Sequence, residues 1–164
     1  MRSPSGEALM RWITREHPKI DRVACPWLIT RFIDPHAEFL FAPPAEVRAR
    51  ATELNAIPYD VEGVELSHDG PLCSFDAFLQ KYRLTDPAVR ELAVIVRGAD
   101  TDRLDLAPQA AGLLAISLGL SQLFPDDHEL LASGFVIYDA LYAWLQHAKG
   151  ERHSWNPQRV PAPA

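Results

Sequence analysis

Three residues in the middle of the chain, Glu65, His68 and Asp100, are of the types that form metal sites. One imidazole and two carboxylates combine a borderline nitrogen with hard oxygens, a donor set that suits Mn²⁺ or Fe²⁺. Glu65 and His68 are placed at the end of a predicted strand and in the turn after it, and Asp100 follows a helix that Gly98 is predicted to end. Turn residues and helix-terminal acids of these types also occur without a metal, so both readings stay open. Further residues that could ligate are Asp102, Asp126, Asp127 and His128.

A second candidate site is built from arginines. Its members are Arg22, Arg31 and Arg97, with Arg15 and Lys19 as additions. Guanidinium groups bind tetrahedral oxyanions through two parallel hydrogen bonds, so the set predicts an anion site. Arg22 falls where a helix begins, and the backbone N–H groups there also favour anions. The alternative is structural pairing, of Arg31 with Asp34 and of Arg22 with Asp21, which is the commoner fate of such residues.

Two aspartates stand beside strongly apolar segments. Asp139 lies within Val136–Leu145, which is apolar on nearly all sides of a helix. A buried carboxylate costs several kcal/mol unless it is paired. We therefore expect Arg22 or Arg31 as its partner, with a metal as the alternative, and either partner would pack the last helix on the first. Asp21 is the second expected buried charge partner.

Cysteine and nucleophile chemistry receive less support. Cys25, near a helix N-terminus and basic residues, could carry a lowered thiol pKa and react with an oxidant. It has no Cys-x-x-Cys partner, and a buried small residue is the commoner meaning of its context. The sequence contains neither a Gly-x-Ser-x-Gly elbow nor a phosphate-binding glycine loop, so no nucleotide cofactor is expected.

The elements that must position these residues follow from apolar spacing and capping signals. Strands are predicted over residues 8–14, 37–42, 57–61 and 64–67, and helices over 21–33, 45–54, 75–82, 87–97, 108–124 and 126–148. Glu62-Gly63 would form the turn of a hairpin between the last two strands. Pro26 would take the first position of a helix that properly begins near Cys25. Ser74 would cap the helix over residues 75–82. The result is a mostly helical α+β fold, with a small antiparallel sheet from the N-terminal half packed by C-terminal helices. We expect one domain over residues 1–150, followed by an extended Pro-containing tail over 151–164.

Composition limits the class of protein. The 164 residues are 48% hydrophobic and carry a formal net charge of −6. This charge argues against duplex DNA as a partner, because phosphate contacts need a surplus of Lys and Arg. No apolar run resembles a signal peptide or membrane span, and two cysteines imply no disulfide framework, so a cytoplasmic protein without a membrane partner is expected.

Several motifs, taken in order, resemble those of the chromate-resistance protein family. They are Thr14-Arg15, Ile20-Asp21-Arg22, Trp27-Leu28-Ile29, Arg31-Phe32-Ile33-Asp34, Ala37-Glu38-Phe39, Tyr59-Asp60-Val61, Glu65 to His68, Cys73 to Phe75, Leu84 to Leu92, Ile95-Val96, Asp100 and Tyr138 to Trp144. In other members the domain is C-terminal in chromate-responsive regulators or fused to a sulfurtransferase module. Many relatives carry His-Asp where this chain has Arg97-Gly98. The chain is too short to add a regulator's N-terminal module, so no nucleic-acid partner is expected.

The resemblance implies a link to chromate or related oxyanion stress, with a bound transition metal as one expectation. Three hypotheses follow for this chain. The first is a domain that binds an oxyanion, a divalent transition metal or both, and senses or detoxifies. The second is a metal-dependent Mn or Fe enzyme, redox or hydrolytic. The third is an interaction module that forms a homo-oligomer, such as a homodimer.

Overall fold

The computed structural model describes residues 9–154, which form six helices and a three-stranded sheet. In chain order the elements are β1 Arg11–Arg15, α1 Asp21–Phe32, β2 Glu38–Ala42, α2 Val47–Leu54, β3 Ala56–Pro58, α3 Ser74–Lys81, α4 Pro87–Asp100, α5 Ala110–Leu123 and α6 Asp127–His147, with single 3₁₀ turns at Pro44–Glu46 and Leu104–Leu106. The mostly helical character and the small N-terminal sheet are confirmed.

The sheet is parallel, so the predicted antiparallel arrangement is wrong. Its order is β2-β1-β3, and Trp12 of the central strand pairs with Phe39 on one side and Ile57 on the other. The reason is that a helix separates each strand from the next, and a helical crossover returns the chain to the end of the sheet where it started. The expected second hairpin strand over 64–67 is replaced by a loop, which the bond from the Asp60 N–H to the Leu66 carbonyl closes at 2.8 Å.

Alternate residues of β1 face two different cores. Trp12 is fully buried among α1 and α3, where its ring centroid lies 5.7 Å from that of Phe78. Ile13 points to the other face of the sheet and packs with Val47 and Ala51 of α2. Because side chains alternate along a strand, one short strand anchors both layers.

Helix α1 runs through the main core and begins earlier than expected. It starts at Asp21 after Ile20, whose φ of 42° lies in the left-handed region. Pro26 is therefore the sixth residue of the helix and not its first, and it supplies no N–H to the Arg22 carbonyl. Residues 23–29 of this helix are all buried, because α3, α4 and α6 pack around it.

The C-terminal helices follow the predicted capping signals with two corrections. Asp86 and Asp126 cap α4 and α6 by accepting the N–H groups of Val89 and Glu129. Gly98 does not end α4, which continues to Asp100; a Cβ at Gly98 would lie 2.9 Å from the Cβ of Ala110. The glycine is there because α5 packs closely on α4. The N-cap of α3 is Cys73, and Ser74 is the first residue of the helix.

The predicted tail falls mainly on residues 155–164, which lie outside the described residues. None of the helices between residues 9 and 154 is both long enough and apolar enough to cross a bilayer.

Large apolar side chains are exposed on α5 and α6, namely Ile116, Leu118, Leu123 and Val136. The expected homo-oligomer remains a prediction.

Candidate functional site

Four side chains from four different segments converge beside the N-terminus of α3. We call Asp21, Asp60, His68 and Asp100 the aspartate–histidine cluster. Asp21 is the first residue of α1 and Asp100 is the last residue of α4. Asp60 follows β3 with a left-handed φ of 48°, and His68 lies in the loop before α3.

The histidine is the centre of this cluster. Its Nε2 lies 3.0 Å from Oδ2 of Asp100, 3.3 Å from Oδ1 of Asp60 and 3.7 Å from Oδ2 of Asp21. Donor atoms of Asp21, His68 and Asp100 all lie within 4.8 Å of one another. Donors bonded to one six-coordinate ion at ~2.1 Å stand about 3 Å apart when adjacent and about 4 Å apart when opposite. The spacing therefore fits a single small cation.

Hydrogen bonds from the N-terminus of α3 and from Cys25 fix the carboxylate of Asp21. Its carboxylate is fully buried and accepts the backbone N–H groups of Ser74 at 2.7 Å and Phe75 at 3.0 Å, the first two of α3. The Cys25 thiol, one turn along α1, donates to it at 3.3 Å. Because a helix N-terminus carries partial positive charge, α3 stabilises a carboxylate at this depth.

Ser74 and two arginines fix the carboxylate of Asp60. Its Oδ1 accepts the hydroxyl of Ser74 at 2.8 Å. Its Oδ2 lies 3.1 Å from the guanidinium of Arg15 and 3.4 Å from that of Arg22. Such outer contacts fix the direction of a carboxylate and are typical of metal ligands.

A buried phenol close to the cluster has no hydrogen-bond partner among the described residues. The Tyr59 hydroxyl is enclosed, and burial raises its pKa well above the ordinary value, with Cys25 and Asp60 as the next causes. An unpaired buried hydroxyl is rare because it costs free energy. Tyr59 thus contributes a buried hydroxyl, without a partner in the described chain, next in sequence to Asp60.

The carboxylates compete for positive charge. Burial raises the pKa of Asp21 well above its usual range, and the neighbouring charges of Asp100 and Asp60 raise it further. Burial and the charge of Asp60 also raise the pKa of Asp100. Burial is the larger cause for both groups and the like charges add to it, so the cluster favours a proton or a cation beside these carboxylates.

His68 and Asp60 stabilise each other's charged forms. Burial alone would raise the pKa of Asp60, but contacts with His68 and Ser74 lower it. The Asp60 contact in turn raises the pKa of His68 to about 9, against the opposing effect of burial. Without a bound cation, a protonated His68 is the positive centre of the cluster.

The structure brings His68 and Asp100 together and holds Glu65 apart from them. The Glu65 side chain is 71% exposed and pairs with Lys81 of α3. Asp21, expected only as a buried charge partner, takes the place beside His68. Asp127, a further candidate ligand, accepts the His17 N–H at 3.2 Å and is not one of the residues grouped around His68.

The three arginines predicted to bind an anion are engaged by three different carboxylates. Arg22 contacts Asp60, Arg31 forms a two-bond pair with Asp139 at 2.8 and 3.0 Å, and Arg97 forms a similar pair with Asp76 at 3.0 Å. Arg31 is thus one of the two arginines expected beside Asp139, although the Asp139 side chain is 47% exposed. The pair links α1 to α6.

Both thiols are enclosed. Cys25 and Cys73 are fully buried, and burial raises the pKa of each well above the ordinary thiol value. Cys25 is the fifth residue of α1, and it therefore lies past the first turn, where the helix N-terminus would stabilise a thiolate. A raised pKa and lack of access oppose the reactivity considered from the sequence.

Asp60 is the cluster member that the sequence did not single out. One available signal was an acid directly after the Ile57-Pro58-Tyr59 segment, since aspartate tolerates a left-handed turn at a strand end. The available signal for Asp21 was an acid at the start of a helix that is apolar over residues 23–29. Neither signal identifies which acids meet.

The fold and this cluster define a small α+β domain with a carboxylate–imidazole centre. The chain matches the family described as ChrB, C-terminal domain, over residues 12–145, and it belongs to that family. The resemblance to the chromate-resistance proteins is thereby confirmed, and membership relates the chain to chromate resistance. All four cluster residues lie within the matched region.

A curated relative is Protein ChrB of Cupriavidus metallidurans (strain ATCC 43123 / DSM 2839 / NBRC 102507 / CH34). It is 34% identical over 142 residues, which are 86% of this chain and 42% of the relative. The chain therefore spans less than half of that protein. No solved structure is significantly similar to the chain.

Proposed function

We propose that this domain binds one divalent transition metal ion, Mn²⁺ or Fe²⁺, at Asp21, His68 and Asp100, with Asp60 alongside. The metal-bound domain would act in sensing or detoxification within chromate-related stress. The observation that carries the proposal is the convergence of three carboxylates on Nε2 of His68 at 3.0 to 3.7 Å.

The charge balance of the cluster supports a dication. Arg15 and Arg22 compensate Asp60, which leaves Asp21 and Asp100 facing a single imidazole. The buried carboxylate of Asp21 and the half-buried one of Asp100 both have raised pKa values, so they favour a bound proton or cation. A divalent ion would keep both ionised, and it would take the place of the proton on His68 because only the neutral imidazole can ligate.

The donor types support Mn²⁺ or Fe²⁺. One imidazole nitrogen with carboxylate oxygens suits these ions, whereas Cu⁺ sites and many structural Zn²⁺ sites use thiolates. Cys25 is close to Asp21, but its raised pKa keeps it a thiol. It therefore serves as a hydrogen-bond donor to a ligand.

A cleft gives the site access to solvent. His68 is 41% exposed and lines a cleft of about 510 Å³ together with Arg15, Asp60 and Ser67. An ion at the cluster would have coordination positions open to this cleft, where it could supply Lewis-acid or redox chemistry. This observation favours a Mn- or Fe-dependent enzyme as the second candidate function.

Metal content and affinity test the proposal. Protein purified without chelators is expected to carry about one Mn or Fe per chain by elemental analysis. Calorimetry of the stripped protein is expected to show a weakening of about 100-fold or more in Asp100→Asn and His68→Ala, because each removes a direct ligand.

The matched control is Glu65→Gln, which neutralises an acid three residues from His68 that is paired with Lys81. We expect its metal affinity to equal that of the wild type. A folded protein that binds neither Mn²⁺ nor Fe²⁺ would refute the proposal, and binding of Zn²⁺ or Mg²⁺ alone would refute the choice of metal. Equal losses in Glu65→Gln and Asp100→Asn would refute the assignment of ligands.

A further inference from the structure

A second cleft, between α3 and α4, is lined by three arginines. Its volume is about 480 Å³. Arg83, Arg90 and Arg97 lie around it, with Gln80 and Thr85 as neutral polar groups and Leu72, Leu79 and Leu84 as apolar ones. We call it the arginine groove. None of these residues belongs to the aspartate–histidine cluster.

The arginine groove is positively charged in an acidic protein. Arg97 is neutralised by the buried carboxylate of Asp76, the single acid that lines the groove. Within residues 9–154, neither Arg83 nor Arg90 has a carboxylate within 4.0 Å, and both are exposed. The groove therefore carries two uncompensated positive charges, whereas the chain as a whole carries −6.

The backbone places these guanidinium groups around one space. Arg83 follows α3 with a left-handed φ of 51°, a position that glycine normally takes at a helix end. Arg90 and Arg97 are seven residues apart on α4, two turns or about 10.5 Å along one face. The paired contact with Asp76 fixes Arg97 and leaves its remaining N–H groups free to donate.

We infer that the arginine groove binds a tetrahedral dianion of phosphate or sulfate type, either free or as the phosphoryl group of an organic molecule. Arg83 and Arg90 supply the charge, and guanidinium groups hold such oxygens through paired hydrogen bonds. The leucines offer a surface for an apolar group attached to the anion. This site is separate from the proposed metal site and does not depend on it.

Calorimetry of the full chain, with inorganic phosphate and with phenyl phosphate as probes, tests the inference. We expect saturable one-to-one binding that weakens about tenfold or more in Arg83→Gln and in Arg90→Gln, because each removes a charge-assisted contact. Both positions are exposed, so thermal unfolding is expected to stay near that of the wild type. Tighter binding of phenyl phosphate would identify an esterified phosphoryl group, and equal binding a free ion.

The matched control is Arg48→Gln, which removes an exposed arginine from α2 that likewise has no carboxylate within 4.0 Å in the described chain. Its affinity for both probes is expected to match the wild type. Absence of saturable binding for both probes would overturn the inference, as would equal weakening by Arg48→Gln and Arg90→Gln. Binding should persist in Asp100→Asn, which separates this result from any failure of the metal site.

Discussion

Nε2 of His68 lies 3.0 Å from Oδ2 of Asp100, so the loop before α3 meets the last residue of α4. These residues are 32 positions apart in the chain, and the contact forms only because α3 turns back against α4. Within residues 9–154 the Asp100 carboxylate accepts one further hydrogen bond, a long one of 3.4 Å from the Asp21 N–H. Asp21 and Asp60 have more support, because Asp21 accepts two backbone N–H groups of α3 and Asp60 accepts hydrogen bonds from Ser74 and Arg15.

The first prediction concerns pH and the metal-free protein. The pKa of His68 is raised to about 9 from 6.5, so its protonated form stabilises the fold fully below pH 6.5 and this stabilisation is lost as the pH rises through 9. The wild type should have a larger free energy of unfolding than His68→Gln at low pH, and this difference should fall by roughly 1 kcal/mol across that range. The figure is small because solvent screens the partly exposed His68. Denaturant unfolding at several pH values measures it. An imidazole NMR titration midpoint near 6.5 would contradict the prediction.

The second prediction concerns the link between α1 and α6. Trp27 is fully buried, and its indole N–H donates to Asp139 at 2.7 Å. Asp139→Ala removes that acceptor and should destabilise the protein by about 1–3 kcal/mol, whereas Arg31→Ala breaks a half-exposed ion pair and should cost less than about 1 kcal/mol. Urea unfolding of both variants compares them. Asp139→Asn, which keeps an acceptor, is the control and should lie between them; equal costs for the two alanine variants would refute this explanation.

The third prediction concerns the packing of two glycines. A Cβ at Gly134 of α6 would lie 2.5 Å from Cγ1 of Val23 in α1. Gly134→Ala should therefore force the two helices apart and destabilise the protein by about 1–3 kcal/mol. Gly112→Ala in α5 is the control, because nothing lies within 4 Å of its Cβ and alanine favours a helix by about 1 kcal/mol. Thermal unfolding should shift in opposite directions, and a shift in the same direction would contradict the packing argument.

The fourth prediction concerns the thiols. Cys25 and Cys73 are both fully buried with raised pKa values. A thiol reagent such as DTNB should label the native protein only as fast as it unfolds, and should find two thiols per chain in guanidinium. Rapid labelling of the native protein at neutral pH would show that one of the thiols is accessible, and the redox hypothesis for Cys25 would then return.

Local patterns predicted the helices because capping and apolar spacing act over a few residues. Asp86-Pro87 and Asp126 mark the starts of α4 and α6, and the apolar spacing of the α1 segment predicts a helix. Pairing of strands involves residues far apart, so the sequence predicted the short strands near Trp12 and Ile57 but not their parallel pairing. The prediction that Gly98 ends α4 is wrong for the same reason. Gly98 allows close contact with Ala110 of another helix, and no local pattern records such a contact.

The sequence by itself determined the family, the helical character and the presence of His68 and Asp100 among the residues that could hold a metal. Only the tertiary structure decided which carboxylates accompany them. Glu65, three residues from His68, turns outward to Lys81, whereas Asp21 and Asp60 arrive from α1 and from the end of β3. The physical reason is that a site at the meeting of several elements depends on how their helices and strands pack. That packing is set by the buried core around Trp27 and Phe78 and not by the spacing of the ligands along the chain.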